Sequence, residues 1–93
     1  MRYSHQAQLS EIDELPGPGE PPVTFWSGNL RHSIAVQDGG SWTLLESSGS
    51  LVGEFVTEDA GFAVVDDESG ERERFETWRS AVRHILRRGL RAA

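Results

Sequence analysis

Between residues 23 and 66, runs enriched in β-branched and aromatic residues alternate with glycine-bearing polar clusters at intervals of about ten residues. The runs are VTFWSG, HSIAVQ, SWTLLES, LVGEFVT and GFAVVD, and such side chains lose little freedom on a pleated surface. The clusters DGG, SSGS, EDAG and DESG each offer a glycine for positive φ and a small polar side chain for local backbone bonding, which is the chemistry of a hairpin turn. No helical stretch between them is long enough for a parallel crossover, so each strand must pair antiparallel with its neighbour in sequence. A further run, ERERF, suits a charged edge strand that resists sideways pairing.

The period then changes. In FETWRSAVRHILRRG, Trp78, Ala81, Val82, Ile85 and Leu86 stand at i, i+3, i+4, i+7 and i+8, forming one apolar stripe at helical pitch that must be buried. Thr77 is placed to cap this helix and Gly89 to end it, with Leu90 folding back on Ile85, which predicts a helix over 77–88. The expected fold is therefore α+β: an antiparallel β-meander of four to five strands with one C-terminal helix packed on one face, in two layers.

All four prolines, Pro16, Pro18, Pro21 and Pro22, fall in PGPGEPP, which sustains neither a helix nor a central strand. Ahead of it, Leu9, Ile12 and Leu15 recur at spacings of three, with Ser10 and Asp13 able to cap one turn, but so short a helix is marginal alone. Residues 1–22 are expected to be a flexible N-terminal arm and Pro/Gly linker, with a partner-induced helix as the competing reading. Residues 23–93 are expected to form a single small domain.

Several classes of chemistry lack the residues they need. There is no cysteine, which excludes disulfide scaffolds and thiolate metal centres. His5, His32 and His84 fall on arm, strand and helix with none at metal-ligand spacing, and His32, Ser33 and Asp38 lack the nucleophile turn of a triad. DDESGE lacks the alternating carboxylates of a calcium loop and reads as a solvated acidic turn. A chain of 93 residues also has little apolar material to spare for a deep ligand cavity. The expectation is a non-enzymatic protein with no cofactor, no metal and no small-molecule substrate. No apolar leader core and no membrane-length apolar run is found, which predicts a cytoplasmic protein without a membrane partner.

Two surfaces remain as candidates for binding. The last 18 residues hold five arginines against one acid, a net +4, whereas residues 1–75 hold four arginines against fourteen acids, a net −10. Cations toward the end of the helix, with Glu71, Glu73 and Glu76 near its start, suit the macrodipole. The row Arg79, Arg83 and Arg87 also supplies an alternative function, a nucleic-acid surface, which the acidic remainder of the chain disfavours.

The second face of the sheet is the stronger candidate. Strand alternation assigns Ile34, Val36, Trp42, Leu44, Leu51, Phe55, Phe62 and Val64 to the helix side. On the other side it leaves Trp26, Leu45, Val52, Val56 and Val65, with Ala35 and Ala63, and one short helix cannot cover both. Three covers are open: a protein partner or second copy making a homodimer, the N-terminal arm, or closure of the sheet into a barrel. The first is the functional expectation, a protein-interaction module that binds through Trp26, Leu45, Val52, Val56 and Val65. A slip of register at Gly53 would instead move part of this patch into the core.

Overall fold

The computed structural model describes residues 8–65 and 70–92, with side chains to residue 88. Six strands lie in a single antiparallel sheet in chain order: β1 (Val23–Ser27), β2 (Leu30–Asp38), β3 (Ser41–Glu46), β4 (Leu51–Glu58), β5 (Gly61–Val65) and β6 (Arg72–Phe75). Helix α1 (Trp78–Ala92) follows and packs on the sheet, giving the two-layer α+β arrangement. The charged ERERF run supplies the sixth strand, one more than the upper expectation. β1 and β6 are the two edges, so the sheet is open and the barrel alternative is not realised.

Turn chemistry sets the register. Ser27 pairs with Leu30 across Gly28 and Asn29, and Gly28 has φ 63, a value its missing Cβ allows without strain. The acidic DDESGE turn lies largely outside the described residues.

One face of the sheet holds the core. Phe25, Ile34, Leu44, Phe55 and Val64 are buried there against Trp78, Ala81, Val82 and Ile85, the predicted helical stripe. Trp42 and Phe62 extend the layer, with Trp42 stacked on Phe55 at 5.5 Å. Thr77 caps the helix as expected, its Oγ1 accepting from the Ser80 N–H at 3.2 Å. The helix does not stop at 88, however, but runs through Gly89 to Ala92. The glycine costs about 1 kcal/mol against alanine within a helix, and the good formers Leu90, Arg91 and Ala92 beyond it favour continuation.

The helix packs chiefly on β4, β5 and β6, which leaves the β1–β3 half of this core face to another cover. Residues 8–16 supply it. Leu9, in a single 3-10 turn at Leu9–Glu11, is only 8% exposed, and Ile12 and Leu15 pack beside it on the same cluster. Two polar contacts hold this segment: Trp42 Nε1 donates to the Pro16 carbonyl at 2.9 Å, and the Arg79 guanidinium donates to the Ile12 carbonyl. Gln8 also bridges to Trp26 along the outer edge of β1. Thus residues 8–16 of the segment expected to be a flexible arm lie in the core layer, on the helix side of the sheet and not on its second face, while residues 1–7 are outside the described residues. Its apolar residues at spacings of three outweigh the irregular backbone that follows them.

Candidate functional site

The second face is read from the pairing register. Trp26 stands opposite Arg31, Thr24 opposite Ser33, Ser33 opposite Leu45, and Leu45 opposite Leu51. The next row along the strands is Ala35, Thr43 and Glu54, and the one beyond it is Ser41, Val56, Ala63 and Arg74. Val65 pairs with Arg72 at the far edge. Helix and N-terminal segment both lie on the opposite face, so no described element covers this one.

Four of the five residues expected to form the patch, Trp26, Leu45, Val56 and Val65, share this face and are half-buried. Val52 does not. The register shifts where Leu44 pairs with Gly53 but Leu45 pairs with Leu51, so Val52 is the extra residue of a bulge and packs against the core cluster. Leu51, assigned by alternation to the helix side, is instead turned outward and 55% exposed. The bulge therefore exchanges the two residues, and the signal for it in the sequence is Gly53.

Charge is organised on this face. Near β6, the Glu58 carboxylate accepts from Arg72 and lies 3.4 Å from Arg74 Nε, while Arg74 also donates to Asp59 at 2.7 Å. Those arginines neutralise acids of the adjoining β4–β5 hairpin, although exposed pairs of this kind stabilise a fold only slightly. Arg31, Glu54 and, at the β2–β3 end, Asp38 are different: none of their side chains has a hydrogen bond or ion pair among the described residues. Thr24, Arg31, Ser33, Leu45, Glu46 and Ser47 are among the residues that line a concavity of about 420 Å³.

The arginine row of α1 is divided by the fold. Arg79 is half-buried, donates to Ile12 and lies with its guanidinium carbon 4.8 Å from the Trp78 ring centroid. Arg83 and Arg87 are exposed. Arg79 thus joins helix to N-terminal segment and is not presented as one of three equivalent phosphate contacts. His84 packs at 5.1 Å from Phe75 with its Nδ1 3.8 Å from Glu73. His32 is buried and stacked on Phe25 at 5.5 Å, and its Nδ1 has no hydrogen-bond partner among the described residues.

Among the described residues no three His, Asp or Glu side chains converge as a metal site, and no helix is long and apolar enough to cross a membrane. No family model, no curated protein and no solved structure matches the chain.

Proposed function

We propose that the chain is a non-enzymatic interaction module that binds a protein partner through the second face of its sheet. One observation carries this reading: helix and N-terminal segment both sit on the same face, while Trp26, Leu45, Leu51, Val56 and Val65 stand on the other with Leu51 mostly exposed. Exposed apolar patches that no part of a fold covers are where protein contacts form, and tryptophan is enriched among the residues that anchor them. The divided arginine row gives the nucleic-acid alternative no comparable support.

The test uses Leu45→Lys and Val56→Lys, with Arg83→Glu on the helix as control. A lysine on a face that is open in the free protein leaves the fold intact, which circular dichroism checks, but its charge is desolvated when a partner closes over it. The expected outcome is that a stoichiometric partner, whether foreign or a second copy, is retained by wild type and by Arg83→Glu and lost from both lysine variants. Retention by the lysine variants, or loss only from Arg83→Glu, would move the binding surface elsewhere.

A further inference from the structure

We infer that the partner for this face is a second copy of the chain, docked so that Arg31 of each copy meets Glu54 of the other. The inference rests on the interaction reading above and deepens it.

A two-fold interface must be self-complementary, because each patch meets itself reversed. The second face meets that condition in one specific way. Three of its charges have no side-chain partner among the described residues: Arg31 on β2, Asp38 at the β2–β3 end beside Ser41, and Glu54 on β4. Of the three, Arg31 and Glu54 have opposite sign and flank Leu45, whereas Glu58, Arg72 and Arg74 have satisfied one another. Between the two charges lie one strand and one row of residues, and the position at their midpoint is Leu45, which pairs with the exposed Leu51. From strand rise and strand spacing the two charges are on the order of 15 Å apart.

A two-fold axis lying between two facing sheets, passing over Leu45 and perpendicular to the line joining the charges, brings each Arg31 over the other copy's Glu54. The same operation stacks Leu45 on its equivalent at the centre and brings the two Leu51 side chains in beside that pair. Leu45 and Leu51 then lie near the middle with Ser33 and Thr43 beside them, and the two charge pairs flank them on either side. The concavity beside Arg31 holds hydroxyls from Thr24, Ser33 and Ser47 and also the Glu46 carboxylate, so Arg31 itself is the group that draws an incoming carboxylate. A foreign partner would need these features on another surface, whereas a second copy brings both by symmetry.

The experiment is sedimentation equilibrium of the full chain over a wide concentration range, with Arg31→Glu, Glu54→Arg and the double reversal. Wild type is expected to dimerise reversibly. Each single reversal sets two like charges face to face at both symmetric positions and is expected to weaken the dimer by about tenfold or more, while the double reversal recovers most of the loss. A dimer that the double reversal fails to rescue overturns the proposed pairing. A wild type that stays monomeric throughout overturns the second-copy inference alone, and the interaction reading is then decided by the lysine variants. A dimer insensitive to the charge reversals and to Val56→Lys overturns both.

Discussion

At Gly53 the helix lies close against the sheet. A Cβ at this position would lie 2.5 Å from Ile85 Cγ2, so the absent side chain lets the helix settle onto β4. Gly53→Ala is expected to destabilise the fold by about 1–3 kcal/mol, as overpacking does when the neighbour is itself held in the core. In an Ile85→Ala background the added methyl meets open space, so the penalties should combine to much less than their sum, with a coupling above about 0.5 kcal/mol in a urea-denaturation cycle. Additive losses would mean that the strand, and not Ile85, resists the methyl. The same residue belongs to the bulge that turns Leu51 outward and Val52 inward. Strict alternation assigns those two the wrong way round because a period of two has no place for an inserted residue. A glycine in an otherwise branched strand signals an insertion but does not say on which side of it the register changes.

At the scale of elements, the N-terminal segment acts as a second cover for the core face. Removing residues 1–16 is expected to lower unfolding free energy by about 2–4 kcal/mol, because Leu9 is buried and Ile12 and Leu15 shield apolar neighbours. Denaturant unfolding measures it, and tryptophan emission should shift to the red as Trp42 loses the Pro16 carbonyl. A loss below about 0.5 kcal/mol, the level of a surface change, would mean the segment docks without stabilising the fold. Strands and helix are legible in the sequence because each shows its period over several residues. The N-terminal segment is not, since PGPGEPP reports irregular backbone, and irregular backbone can still pack. The spacing of Leu9, Ile12 and Leu15 is its one signal. The β1–β2 turn at Gly28–Asn29 could have been recognised from that dipeptide, whereas the helix passing through Gly89 depends on summed propensities rather than any one residue. The second face was legible as a set of apolar residues. That Arg31 and Glu54 stand unpartnered there was not, because charge pairing requires a register that the sequence does not state.

For the whole molecule, strand order equals chain order, so every strand pairing closes only a short loop and the sheet is assembled from local contacts. The contact between Arg79 and Ile12, 67 residues apart, is of the opposite kind and joins the two ends of the fold. In pulse-labelled hydrogen exchange during refolding, the Thr57 amide, bonded to the Gly40 carbonyl, should therefore gain protection before the Ile12 amide, bonded to the Leu9 carbonyl. Simultaneous protection would place docking of the N-terminal segment within the rate-limiting step. On the ribosome this arrangement has a directional consequence. Leu9, Ile12 and Leu15 leave the exit tunnel well before Arg79 and the helix that complete their seat. A nascent chain arrested before residue 79 would thus display three apolar side chains beside a half-covered sheet, a surface that chaperones and proteases recognise, and its first segment would mark it as unfinished.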